Sequence, residues 1–316
     1  MEAEAIRFPY TQAYRLAHST VKILSNKPVE YISRYFSKKI LIHDTDENCT
    51  FRIFCIHCHD QMEAFKLAQC KINHSVRSKQ FAKGYYVTDH FGEPIYQKVD
   101  NNNSIYLYGK SFDRIIWSYF VKYILLIESV KMNSVFIKAA AFRLNNKTSL
   151  IVGPGGSGKT VFLNYFCNKK NAEYITNSNG IIKDGILTGV GSTMRVRMDE
   201  DEILVDPADK FNLDFTKEYK IENIIFMKYG NQNKIIQIKD NDIIRNFLEL
   251  FLMGINVYSL EEDLLHYLDF DYVNFSQRYQ QMKNQIDNLI SYCKVYYIDA
   301  NIYNNESQIR IYNLIG

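Results

Sequence analysis

A mixed α/β fold arranged around one glycine-rich turn is the architecture this sequence predicts. Three observations predict it. Residues 148–166 read as an apolar strand, a glycine-rich turn and a helix with an apolar face. Hairpin-like strands flank that unit at 134–152 and 180–188. From Asp242 to about Tyr292 the periodicity turns helical. With 316 residues the chain has room for one large domain or two ordinary ones.

The turn comes first because its chemistry is the most specific. Gly153-Pro154-Gly155-Gly156-Ser157-Gly158-Lys159-Thr160 is Gly, four residues, Gly, Lys and Thr, the spacing of a phosphate-cradling loop. Glycines let the backbone turn tightly enough for several N–H groups to converge on one anion. The helix that follows offers its first amides and the positive end of its dipole. Lys159 supplies a point charge for the outer phosphates, and the Thr160 hydroxyl suits Mg²⁺. Gly153, Gly155, Gly156, Ser157, Gly158, Lys159 and Thr160 are therefore the expected contacts of a nucleoside triphosphate. The bland alternative is a glycine turn joining strand to helix.

Composition narrows the class. Hydrophobic residues make up 47% and charged residues 23%, which is globular. A net charge of +3 is too small to point to nucleic acid as the main partner. The N-terminus MEAEAIRFPYTQAYRL lacks the apolar segment of a secretory signal. The most apolar run, Tyr119 to Ile127, is too short to span a bilayer. A cytoplasmic protein without membrane contact is expected. Cys55-Ile56-His57-Cys58-His59 resembles a metal knuckle, but no second ligand pair follows at zinc spacing.

Taken in order, residues 1–110 form a small β-rich N-terminal region. Its expected strands are Lys39–His43, Thr50–Cys58, Gly84–Val87 and Ser104–Tyr108, with a turn at Asn101-Asn102-Asn103. Residues 111–132 read as a connecting helix, N-capped by Ser111, with Ile116, Phe120, Tyr123, Ile124 and Ile127 on one face. Residues 133–316 form the nucleotide-binding domain. Ser134–Phe142 and Thr148–Val152 pair as a hairpin across Asn145-Asn146-Lys147. After the loop helix comes a strand, Ala172–Thr176, ending in Asn177-Ser178-Asn179. A hairpin, Gly180–Ile182 with Ile186–Thr188, then turns at Lys183-Asp184-Gly185, and Met194–Arg197 is strand-like. A further hairpin is expected of Ile224–Met227 and Ile235–Ile238. Helices follow at Asp242–Met253, from the capping box at Ser259-Leu260-Glu261-Glu262, and at Asn274 to about Tyr292. Cys293–Ile298 and Ile309–Tyr312 read as edge strands.

That order of parts resembles the HPr kinase/phosphorylase family, and within it the compact relatives that phosphorylate precursor peptides in peptide natural-product clusters. The resemblance covers roughly residues 133–300. It implies an α/β P-loop fold with a mixed sheet, here with the β-rich N-terminal region and C-terminal helices beside it. It also implies ATP as the nucleotide, with GTP possible, and Mg²⁺ as the metal. The acceptor would be a hydroxyl of a peptide, a protein or a small molecule, and a homo-oligomer is a further expectation. The sequence departs from the family at three places. Lys138 stands where a His is usual, Asn177-Ser178-Asn179 where a pair of aspartates is usual, and Val161 where an acid often follows the loop.

Those departures shape the candidate roles. Lys159, Arg195, Lys138 and Asn177 are the candidates for chemistry, with Arg197 as a substitute for Arg195. Thr160 and Asn179 are the candidates at the metal. Asp184 reads as a turn residue, while Asp206, Asp209 and Glu173 are possible replacement acids. An amide cannot take the acceptor's proton as a carboxylate can, a loss of roughly 100- to 10,000-fold. A kinase of this type is therefore one expectation. A nucleotide-binding regulator or scaffold with little transfer activity is the other, and an unrelated nucleoside triphosphatase ranks third.

Overall fold

The structure, a computed structural model, describes residues 7–43, 49–68, 85–87, 95–99, 103–112, 116–198, 201–253, 255–257 and 260–316. The chain forms two compact units, Met1–Leu125 with Leu260–Asp271, and Leu126–Ser259 with Tyr272–Gly316.

The first unit holds a sheet of β1 (Tyr10–Leu16), β2 (Ser19–Ser25), β3 (Leu41–Ile42), β4 (Phe51–His57), β5 (Tyr85–Val87), β6 (Ile95–Val99) and β7 (Ser104–Gly109). Their spatial order is β3-β1-β2-β4-β7-β6-β5. Strands stand where Thr50–Cys58 and Ser104–Tyr108 are expected to form them, and β1 and β2 are additions. Ser19-Thr20-Val21-Lys22-Ile23-Leu24-Ser25 alternates with period 2, and Val21 and Ile23 are buried. β2, β4 and β7 run parallel, and α1 (Gln61–Ala68) lies between β4 and β7 in the chain. The turn Asn101-Asn102-Asn103 lies outside the described residues except for Asn103, which adopts φ 56°. The connecting helix begins as a π-helical turn, Ile116–Val121, and continues as α2 (Lys122–Lys131). All five residues of its expected stripe are buried, and so are Leu125, Leu126 and Val130. Lys122, Glu128 and Ser129 are buried as well, so residues 120–130 are enclosed on every side of the helix.

The second unit is built on β8 (Val135–Ile137), β9 (Ala139–Leu144) and β10 (Lys147–Val152), the phosphate loop, and α3 (Lys159–Lys169). Then come β11 (Glu173–Thr176), β12 (Gly180–Lys183), β13 (Ile186–Gly189), the ribbon β14 (Met194–Met198) with β15 (Asp201–Val205), β16 (Glu218–Lys228) and β17 (Lys234–Ile238). α4 (Asn241–Glu249) follows. After it α5 (Glu261–Tyr267) belongs to the first unit. α6 (Tyr272–Ile290), β18 (Lys294–Asp299) and α7 (Asn305–Ile315) close the chain. Nine strands form one mixed sheet. The two expected hairpins β9–β10 and β12–β13 are present.

The pleat sorts this sheet into two faces. Ala139, Ala141, Leu150, Val152, Ile224 and Phe226 face one core, covered by Leu248 of α4 and by Met282, Ile286 and Leu289 of α6. On the other face Phe142 stacks on Phe166 of α3 at 5.0 Å, with Phe162 at 6.2 Å. α3 is thus clamped to the sheet just behind the loop it carries.

Four expectations are corrected. Ser134–Phe142 is not one strand, because the ladder breaks at Lys138, whose N–H donates to Phe251 O at 2.9 Å. β16 and β17 do not form a hairpin. β18 lies between them, parallel to β16 and antiparallel to β17, so Cys293–Ile298 is an interior strand and not the expected edge; a parallel neighbour from 71 positions on is invisible to local pattern. Ile309–Tyr312 is helix, not strand. Asn304 caps α7 by accepting from Ser307 N at 3.1 Å, and Ser307, Ile311 and Ile315 are buried at four-residue spacing. Four alternating residues were too few to tell the periods apart. Among the described residues no helix is long and apolar enough to cross a membrane.

Candidate phosphate site

The loop leaves the C-terminal end of β10 and enters α3 with the geometry its glycines permit. Gly156 and Gly158 sit at φ +76° and +88°, in the left-handed region that disfavours a Cβ. Gly153 is needed for space, since a Cβ there would lie 2.6 Å from Met227 O and from Ser157 Oγ. At Gly158 it would meet Tyr229 Cβ at 2.9 Å. Gly155 faces open space. Ser157 N closes the turn on Pro154 O at 3.2 Å.

Lys159 folds back along the loop. Its Nζ donates to Gly153 O and Pro154 O, both at 2.7 Å, and reaches Ser157 Oγ at 3.3 Å. The side chain is 9% exposed. Burial, and then the field of Lys138, push its pKa down to about 8. Thr160 follows it in the first turn of α3 and is half-buried.

Two more predicted segments meet the loop at the same edge of the sheet. β9 runs antiparallel to β10, pairing Ala139 with Val152. β11 runs antiparallel to β9, so the end of β11 lies level with the end of β10. Ala139 N donates to Ser178 O at 3.1 Å, which ties Asn177-Ser178-Asn179 to the residue beside Lys138. Lys138 is half-buried, and burial lowers its pKa.

The amide of Asn177 is hydrogen-bonded at both its oxygen and its nitrogen. Its Oδ1 accepts from Tyr174 Oη at 2.9 Å and Ser192 Oγ at 3.2 Å, and its Nδ2 donates to Thr193 O at 3.3 Å. Asn179 Nδ2 donates to Ser178 Oγ at 3.0 Å, and the residue is 3% exposed. These hydrogen bonds tie the strand end into a rigid polar corner.

The remaining candidates lie elsewhere. Arg195 is exposed on β14 opposite Leu204, two residues past Thr193. Arg197 pairs in register with Glu202. Asp184, at φ 51°, is a turn residue whose N–H and carboxylate bind Gln285 of α6. Glu173 sits at the start of β11 with Lys217 at 3.0 Å and Tyr219 at 2.9 Å. Asp206 caps the short turn Pro207–Asp209, and Asp209 is exposed within it. Phe211, at the end of that turn, stacks on Tyr174 at 5.2 Å.

Two neighbours of the loop carried no sequence signal as partners. Tyr229, at the end of β16, presses its ring against Gly158 and donates its hydroxyl to Asn301 Oδ1 at 3.1 Å. Asp299, at the end of β18, is 1% exposed and accepts from Lys228 Nζ at 2.9 Å. An acid closing the apolar run Val295-Tyr296-Tyr297-Ile298 was the only hint of a buried carboxylate there.

At the end of β11 the Mg²⁺ implied by the resemblance meets no carboxylate. Among the described residues no group of three or more His, Cys, Asp or Glu could hold a metal ion. Where carboxylates would stand, Asn177 and Asn179 are bound into the corner described above. Compared with protein-family models and with curated proteins, the chain matches none.

Proposed function

We propose that this protein binds a nucleoside triphosphate, ATP first and GTP as the alternative, on residues 153–160. Phosphoryl transfer to a hydroxyl of a peptide, protein or small molecule, in the manner of the HPr kinase-like proteins, is the activity. The observation that carries the reading is the loop itself. Its glycines occupy conformations that open the backbone amides, α3 follows at once, and Lys159 Nζ lies against the loop carbonyls. Phosphoryl transfer depends chiefly on positioning and on neutralising charge. Lys159 and Lys138 supply that charge from two sides of the loop, and the amides at the start of α3 orient the phosphates.

A second reading, in which bound nucleotide regulates or scaffolds a partner, is favoured by one observation. Asn177, where a proton-accepting carboxylate would sit, is a hydrogen-bonded amide. Titration calorimetry with ATP and GTP tests binding, with Lys159→Ala expected to weaken it about 10- to 100-fold. Incubation with γ-labelled ATP and peptides encoded beside the gene tests transfer. Label that disappears with Lys159→Ala supports the kinase, tight binding with no label on any acceptor supports the regulator, and absence of binding removes both.

A further inference from the structure

We propose that two lysines, Lys159 and Lys138, hold the polyphosphate in place of a carboxylate-anchored divalent cation, so that nucleotide binding persists when Mg²⁺ is removed. This rests on the reading of residues 153–160 as a triphosphate site.

The backbone brings the two lysines together. Ala139 and Val152 are the last pair of the β9–β10 ladder. One residue beyond that pair lie Lys138 on one side and Gly153 on the other. The carbonyl of Gly153 accepts from Lys159 Nζ at 2.7 Å. The break at Lys138 is fixed by Phe251 O on one side and by the Ala139–Ser178 bond on the other. The backbone at Lys138 is therefore fixed beside the start of the loop.

Charge bookkeeping then points to an anion. The Lys138 ammonium makes no hydrogen bond or ion pair with any described residue, and the Lys159 ammonium bonds only neutral oxygens. Two partly desolvated ammonium groups, close enough for the field of Lys138 to act on Lys159, are an unfavourable arrangement on their own. The depressed pKa of each lysine is the same conflict seen in titration. A polyphosphate carries several negative charges and resolves it. In an acid-anchored site the extra positive charge arrives as Mg²⁺ held by one or two carboxylates. Here the corresponding positions are engaged amides, and a covalently attached cation stands beside them.

Calorimetry of the full chain with ATP and with inorganic tripolyphosphate, each in excess Mg²⁺ and in EDTA, decides the matter. The wild-type protein should bind each ligand within about threefold in the two conditions. Lys138→Met should weaken binding in EDTA by at least about tenfold, the worth of one charge-assisted hydrogen bond, while its thermal melt shows an intact fold. A wild-type affinity that falls about 100-fold or more in EDTA overturns the inference and leaves the triphosphate site standing. So does a folded Lys138→Met that binds in EDTA like the wild type. The wild-type comparison needs no variant, so a misfolded Lys138→Met does not rescue the idea. Failure to bind either ligand in both conditions sinks the triphosphate site itself.

Discussion

Lys159 is placed to make binding and stability respond to pH in opposite directions. Its folded pKa of about 8 lies below the ordinary 10.5. Between those values the unfolded chain binds more protons than the folded one, so this group adds stability as pH rises through that window. Below about pH 8 the ammonium is charged in both states and its burial counts in full against the fold. The groups around it are the carbonyls of Gly153 and Pro154, the Ser157 hydroxyl and the Lys138 ammonium. A triphosphate needs the charged form. Affinity should therefore fall as pH rises past about 8, and binding at higher pH should take up protons. Calorimetry in two buffers of different ionisation enthalpy reads that uptake directly. The polar corner offers a second test. In Asn177→Asp the donors Tyr174 and Ser192 would still serve a carboxylate oxygen, but the other oxygen would confront Thr193 O, to which Nδ2 now donates. Leaving that buried pair unmatched should cost about 1–3 kcal/mol, seen as a lower midpoint in urea with unchanged slope.

At the scale of the element, the strand–loop–helix unit works because sheet and helix are fastened before and after the loop. Gly158 is its most constrained point. Gly158→Ala would force a side chain into φ +88° and against the Tyr229 ring, a backbone cost of about 1–3 kcal/mol before any clash. The expected result is a lower melting temperature together with weakened ATP binding, whereas Gly155→Ala, facing open space, should leave the melt nearly unchanged. This unit was legible in the sequence because its instructions are local: glycine spacing, an apolar strand before, a helix after. Lys138 and Asn177 came from the resemblance, as the residues standing where the family has a His and an aspartate, and the pairing of β9 with β10 and β11 brings their segments to the loop's edge of the sheet. Tyr229 and Asp299 escaped because they arrive on β16 and β18, whose place is fixed by strand pairing across most of the unit. Their neighbours cannot be deduced from residues four or five positions away. The C-terminal strand expectation failed for the converse reason. Ile309-Arg310-Ile311-Tyr312 satisfies period 2 over its own length, and only the cap at Asn304 and the burial of Ile315 reveal the helix.

For the molecule as a whole, the first unit is not a continuous stretch of chain. Residues 260–271 leave the second unit between α4 and α6 to complete it. Leu260 and Leu264 from this excursion are fully buried. Leu264→Ala should destabilise the protein by about 2–5 kcal/mol, read by chemical denaturation. Calorimetry of the folded variant should find ATP affinity within about twofold of wild type, because nothing in residues 153–160 has changed. The long strand β16 has a different kind of consequence. Ser149 of β10 lies 74 positions before its partner Asn223 on that strand, and β18 pairs beyond it through Asn223 and Lys294. On a ribosome adding about 5–20 residues per second, the glycine turn emerges several seconds before the scaffold that shapes it. A nascent chain halted before residue 294 would carry the complete nucleotide signature and lack a supporting strand. Such truncated products should not be retained on immobilised ATP.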